Sequence, residues 1–295
     1  MDHGQPRLSD DAVIRTYYLL TKPGILLGNA ITATAGFLLA SRGHFDPRLF
    51  LITVAGLGCV IASACVFNNY IDRKSDEKMA RTKNRALVKG LISIRNALLF
   101  AISLGIIGTL ILSQTNLLAV AVAATGFFSY VVLYSLLKYH TVYGTLIGSI
   151  SGAIPPVVGY TAVSHQLDTG AILLFLILVL WQMPHFYSIA IYRFKDYTAA
   201  SIPVLPIVKG NQITKIHMTL YIIAFIGAAL LLTLFGYTGY TYFITAALLG
   251  SSWLWTCVQG FKAESDTRWA RKMFVVSLVV ITALSFMISV DVSIR

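Results

Sequence analysis

Charge is scarce in this chain. Asp, Glu, Lys and Arg together make up 12% of its 295 residues, about half the share in a soluble domain. Hydrophobic residues fill 57%, and the mean hydropathy is +0.75. That excludes a soluble globular domain. An all-α polytopic membrane protein is expected, because helices satisfy their own backbone in lipid. Acids are scarcest: 12 Asp and Glu against 23 Lys and Arg leave a net charge of +11. A surplus of that size also suits nucleic acid. Its placement argues against that partner, because the cations cluster in a few loops between apolar runs, as membrane topology requires. Cysteine is nearly missing. Cys59, Cys65 and Cys257 lie in or near apolar runs with no paired spacing, which excludes a zinc site or a disulfide frame and leaves three small hydrophobes. The first fifteen residues contain Asp2, Asp10 and Asp11 and lack a basic start, a short apolar core and a cleavage site. A secretory leader or transit peptide is therefore not expected.

Long apolar runs are what the chain has instead. A span needs roughly 20 apolar residues. Nine stretches qualify: 18–40, 50–69, 93–113, 117–137, 142–163, 170–192, 216–235, 240–260 and 273–290. The third and fourth are divided only by Gln114-Thr115-Asn116. With the N-terminus cytoplasmic, twenty of the 23 Lys and Arg fall inside, and only Arg42, Arg48 and Arg295 fall outside. An even number of spans destroys this asymmetry. The expected layout is a polar segment over 1–17 and a single nine-helix domain over 18–290, with cytoplasmic loops at 70–92 and 193–215 and a periplasmic C-terminus. A bacterial inner membrane is the expected setting.

The polar stretch Asn68-Asn69-Tyr70-Ile71-Asp72-Arg73-Lys74-Ser75-Asp76-Glu77-Lys78 follows directly from the second apolar run. A helix continuing through it stacks Asn68, Asp72 and Asp76 one turn apart on one face. One amide and two carboxylates are hard oxygen ligands of the kind that hold Mg²⁺ beside a substrate phosphate. Arg73, Lys78, Arg81 and Arg85 add cations for that phosphate, although inside-facing charge is an alternative reason for each. The second long loop opens similarly, with Tyr192, Arg193, Lys195 and Asp196. Asp196 would complete a second metal position or orient the diphosphate, and Tyr192 would donate to a phosphate oxygen. Four spans separate the two clusters, so their helices run parallel toward one mouth. His185 lies inside the sixth span after Pro184, and an ionisable group there marks function by default. Ligation of haem iron, proton transfer and a hydrogen bond to a neighbouring helix are all open to it. Asn29, in the first span, has a substrate contact and a helix–helix bond open to it. Lys22 at the first membrane boundary is explained by snorkelling. The Gly144, Gly148, Gly152 stripe is read as close helix packing.

These residues resemble a known family. Asn68-Asn69-x-x-Asp72-x-x-x-Asp76 is similar to the first Asp-rich motif of the intramembrane UbiA-type prenyltransferases. The resemblance is strongest to the members that farnesylate haem. It is carried by Thr21-Lys22-Pro23-Gly24, by Cys65 to Arg73, by Gly152-Ala153-Ile154-Pro155-Pro156, and by Trp181 to Phe186 continuing through Lys195-Asp196-Tyr197 to Pro206. It implies a nine-helix fold and Mg²⁺-dependent transfer of farnesyl from farnesyl diphosphate to a vinyl group of haem B, giving haem O. It implies metal–diphosphate roles for Asn68, Asp72 and Asp76, with Asn69 beside them as a substrate contact, and a second polar motif at Lys195 and Asp196. His185 matches the family's intramembrane His. Haem A synthase or a terminal oxidase would be the partner downstream. Lys74 stands where relatives tend to carry a further acid, which removes that position from the expected ligand set. Two other readings remain: a quinone-precursor acceptor on the same fold, and a secondary transporter. Transporter sites usually lie near the midplane, whereas both acid clusters here are at one membrane face.

Overall fold

The computed structural model describes residues 10–292. Within them the chain is helical almost throughout: α1 (Asp10–Leu20), α2 (Pro23–Ser41), α3 (Pro47–Asp76), α4 (Ile94–Leu112), α5 (Leu117–Phe128), a π turn (Ser129–Tyr134) running into α6 (Ser135–Leu137), α7 (Gly144–Gly152), α8 (Ile154–Ser164), α9 (Thr169–Tyr192), α10 (Phe194–Ala199), α11 (Leu205–Leu234), α12 (Tyr240–Gln259) and α13 (Asp266–Val290). Nine segments long and apolar enough to cross a membrane are found among the described residues, and those over 117–137 and 144–164 are built from broken helices. Arg7 and Arg295 of the charge count lie outside the described residues.

Local chemistry sets most boundaries. The Asp46 side chain accepts from the Arg48 and Leu49 amides ahead of α3, with Pro47 at its first position. Asn116 caps α5 through the Ala119 amide and donates to the Thr161 carbonyl. The three-residue divide between the third and fourth spans is therefore real. Asp168 and Ser265 cap α9 and α13 in the same way, satisfying otherwise orphaned amides.

Several expected bounds shift. The first span does not start at 18: Lys22 adopts a left-handed conformation (φ 55, ψ 67) and separates α1 from α2. The fifth span breaks at Ala153, where Pro155 and Pro156 begin a new helix. The loop expected over 70–92 begins later, because α3 continues to Asp76. The second loop is largely helical. Gly210 (φ 81) kinks α11, and the helix beyond it starts well before 216. Glycine also sets the closest helix approach. A Cβ on Gly36 would lie 2.0 Å from the Pro156 carbonyl oxygen, and one on Gly159 would lie 2.0 Å from that of Ala33. At these two positions no side chain fits between α2 and α8.

The bundle has two ends. At one, Asn116 meets Thr161, Arg42 lies over the Tyr237 ring, and Gly239 donates to the Asp291 carbonyl. At the other, the end of α3 meets the turn after α6, and Lys215 of α11 pairs with Asp266 at 2.5 Å. Large apolar side chains such as Leu117, Leu234 and Leu248 point outward, as a lipid-facing surface requires.

Candidate active site

The last three turns of α3 carry the site. Asn68, Asp72 and Asp76 are buried, at 2%, 8% and 2% exposure, and all three line one cavity of about 560 Å³. Leu57, Val60, Ile61 and Ala64 continue the same wall inward. From Asp76 to Leu57 the wall is about 28 Å deep at helical rise. The cavity is thus charged at the mouth and apolar below.

Each motif residue already has a cationic partner. Lys22 Nζ donates to Asn68 Oδ1 at 2.6 Å. Lys138 Nζ lies 2.5 Å from both carboxylate oxygens of Asp72. The Tyr139 hydroxyl donates to Asp72 Oδ1 at 2.8 Å. Arg85 bonds to Asp76 Oδ2 at 2.6 Å. Burial pulls the Lys22 ammonium down to about 8. It also lowers Lys138, against the pull of Asp72. Burial and the Asp72 carboxylate push the Tyr139 phenol up, which keeps it a neutral donor. Lys22 is therefore more than a snorkelling side chain, since its left-handed backbone turns it into the cavity. Lys138 and Tyr139 were missed in the sequence because they lie 66 and 67 residues from Asp72. A lone Lys after an apolar run reads as topology.

Deeper in the cavity, Tyr130 and Tyr134 stack at 5.5 Å between centroids, and both line the wall. The π turn that carries them brings residues four apart into this stack, and such turns gather at functional sites. His185 stacks on Trp181 at 4.7 Å and faces Phe274 at 5.0 Å. The Ser277 hydroxyl lies 2.7 Å from His185 Nδ1 and within bonding distance of the Phe274 carbonyl at 2.6 Å. This contact holds the Nδ1 edge of the ring against α13. Gln182, anchored to the Ser149 and Leu178 carbonyls, completes this level. Asn29 lines the cavity and bonds to the Ile25 carbonyl of its own helix at 2.9 Å. Gly144, Gly148 and Gly152 also line the cavity. Their stripe makes room for Lys138, Tyr134 and Gln182 in turn.

Six expected site residues lie off the cavity wall. Asn69, one residue round the helix from Asn68, donates to the Leu20 carbonyl at 2.8 Å and braces α1. Arg73 folds back onto Tyr70, with its guanidinium 4.4 Å from the ring. Lys78 and Lys195 are exposed to the outside. Tyr192 packs on Phe274. Asp196 accepts from the Ala80 amide at 3.1 Å and lies 3.9 Å from Arg193. It ties the two loops together and does not reach the motif. The α9 helix ends at Tyr192, so His185, Tyr192 and Asp196 do not share a continuous face. Of the loop cations, Arg81 and Arg85 reach the cavity, with Arg81 5.7 Å above the Tyr197 ring.

Residues 29–279 match the family model described as the UbiA prenyltransferase family. The chain belongs to the UbiA prenyltransferase family. Among curated UbiA relatives, one from Cronobacter sakazakii called protoheme IX farnesyltransferase is 58% identical over 281 residues, covering 95% of each chain. One of the same name from Yersinia pseudotuberculosis is 56% identical over 285 residues, covering 96% of this chain and 97% of its own. Solved structures share the fold. A digeranylgeranylglyceryl phosphate synthase superposes with a TM-score of 0.79 at 19% identity, over 94% of this chain and 98% of that one. A UbiA homolog from Archaeoglobus fulgidus bound to GPP and Mg²⁺ gives 0.66 at 13% identity, over 93% and 99%. This UbiA chain is a multi-pass membrane prenyltransferase.

Proposed function

We propose that the chain transfers the farnesyl group of farnesyl diphosphate to a vinyl group of haem B, with hydration, giving haem O and diphosphate. The observation that carries this reading is the near full-length identity to relatives called protoheme IX farnesyltransferase. The cavity supports it, with cations and acids at the mouth and an aromatic and aliphatic interior suited to an isoprenoid tail and a porphyrin.

The allylic carbon–oxygen bond breaks and its electron pair leaves with the diphosphate. The vinyl π electrons form the new carbon–carbon bond. The positive charge then rests on the carbon beside the porphyrin, where water adds and loses a proton. Lys22, Lys138, Arg81 and Arg85 would receive the diphosphate oxygens and stabilise their growing charge. The walls below exclude water while the allylic cation lasts. Asn68, Asp72 and Asp76 offer the oxygen donors that suit Mg²⁺, which when bound neutralises charge on the leaving group. Asp196 acts as a positioning residue, holding the loop that bears Arg81 through the Ala80 amide. His185, whose Nδ1 is held by Ser277, would meet the porphyrin through Nε2. A bacterial inner membrane is the setting we assign.

The test is a detergent assay with haem B, farnesyl diphosphate and Mg²⁺, read by mass spectrometry, with Asp72→Ala alongside. Farnesylated, hydrated haem from the parent and at least about a hundredfold less from the variant are expected, the scale at which a transition-state electrostatic contact matters. EDTA should remove the product. A folded parent that makes no product with haem B but prenylates a benzoate or naphthoate acceptor would overturn the acceptor. Equal product from both proteins would overturn the role of Asp72.

A further inference from the structure

The three oxygen-bearing residues of the α3 motif are each held by a different basic side chain, and the three cations come from three separate elements. Lys22 projects from the left-handed residue between α1 and α2 and holds Asn68. Lys138 follows α6 and covers both oxygens of Asp72. Arg85 comes from the turn after α3 and holds Asp76. Lys138 is 7% exposed, and its ammonium donates to both oxygens of Asp72. A divalent ion arriving alone would meet three cations at contact distance. To reach Asp72 it would also have to strand the Lys138 ammonium, and an unpaired charge in a buried site is strongly unfavourable. A diphosphate removes both obstacles, because its oxygens accept from the same cations as they leave the acids.

We propose that Lys138, with Arg85 and Lys22, guards the motif against metal until a diphosphate arrives. The cations exchange partners, from protein oxygens to phosphate oxygens, and the metal site opens only in that exchange. The strained backbone at Lys22 fits this role, since a left-handed lysine persists only where surrounding structure over-determines it. This inference rests on the diphosphate reading above and deepens it by setting an order of binding. No bond is made or broken in the exchange; only ionic partners change.

Mn²⁺ binding to the detergent-purified full chain tests it, followed by the electron paramagnetic resonance signal of free Mn²⁺. The titration is run alone and with farnesyl thiodiphosphate, which transfers slowly. The parent should bind Mn²⁺ weakly alone and at least about tenfold more tightly with the analogue, within the usual range of coupling between two ligands. Lys138→Met should tighten binding of Mn²⁺ alone by about fivefold or more and shrink the enhancement by the same factor. Lys78→Met removes an exposed cation of the neighbouring loop and should behave like the parent. Equal parent affinity with and without the analogue overturns the proposal. So does an equal shift in Lys138→Met and Lys78→Met, which would make the effect one of general charge. Arg85→Gln frees Asp76 and repeats the comparison should Lys138→Met not fold. Direct binding of the analogue is measured by calorimetry with Mn²⁺ present. Its failure there strikes the diphosphate reading. The guard is then judged on Mn²⁺ alone, where Lys138→Met must still exceed the parent.

Discussion

The Ser277 hydroxyl holds His185 Nδ1 at 2.7 Å, which leaves Nε2 as the nitrogen free to meet a ligand. Such an outer partner fixes both the tautomer and the angle of the ring, and its loss typically lowers a ligand's affinity for metal by about 10- to 100-fold. With haem B bound to detergent-purified protein, His185→Ala should change the Soret band if Nε2 meets the iron. Ser277→Ala should keep the ligated spectrum but weaken haem binding by about tenfold, because the ring can then turn and Nδ1 loses its partner. Unchanged affinity in Ser277→Ala would mean that stacking on Trp181 alone positions the ring. The sequence marks His185 through its place in an apolar run. It carries no mark on Ser277, because serine is common in membrane helices and the pair is 92 residues apart.

At the scale of elements, the distance between partners separates what can be read in the sequence from what cannot. The extension of α3 through Asp76 is legible, because i, i+4, i+8 spacing is a local property. Lys138 is not, because it reaches Asp72 only when the π turn and α6 bring the end of the fourth span against α3. Asp196 is legible as a polar helix end, but its partner is the Ala80 amide rather than the motif, and no pattern in the chain announces a backbone donor. The breaks at Lys22 and Ala153 lie inside runs whose hydropathy alone reads as continuous.

The α2–α8 contact gives a prediction at this scale. Gly159→Ala places a methyl against the Ala33 carbonyl, which has no rotamer to yield. The helices must part, and overpacking of this kind costs roughly 1–3 kcal/mol. Gly227→Ala, on a helix position with nothing within 4 Å, is the matched control. Thermal unfolding in detergent should show a lower midpoint for Gly159→Ala and no loss for Gly227→Ala. Equal midpoints would mean that α2 and α8 slide freely past one another.

On the scale of the whole molecule, the two ends of the bundle differ in charge, and that sets its orientation. The end bearing the motif carries Arg15, Lys22, the cations from Arg73 to Arg95, Lys138, those around α10, and Lys262 between α12 and α13. Among the described residues the opposite end carries Arg42 and Arg48. Lysine and arginine in short loops are retained on the cytoplasmic side, so the diphosphate mouth should open to the cytoplasm. Single cysteines in a background freed of Cys59, Cys65 and Cys257 can check this. His44 and Gln166 are exposed at the sparse end, and Lys83 and Glu264 are exposed at the basic end. In spheroplasts a membrane-impermeant maleimide should label His44→Cys and Gln166→Cys at once. It should label Lys83→Cys and Glu264→Cys only after lysis. The reverse pattern would place the mouth outside, where a soluble cytoplasmic diphosphate cannot reach it, and would overturn both the orientation and the supply of substrate. Labels mixed between Lys83→Cys and Glu264→Cys would contradict the helix parity itself, because the contacts of Asp196 with Ala80 and of Lys215 with Asp266 require those loops to share a face.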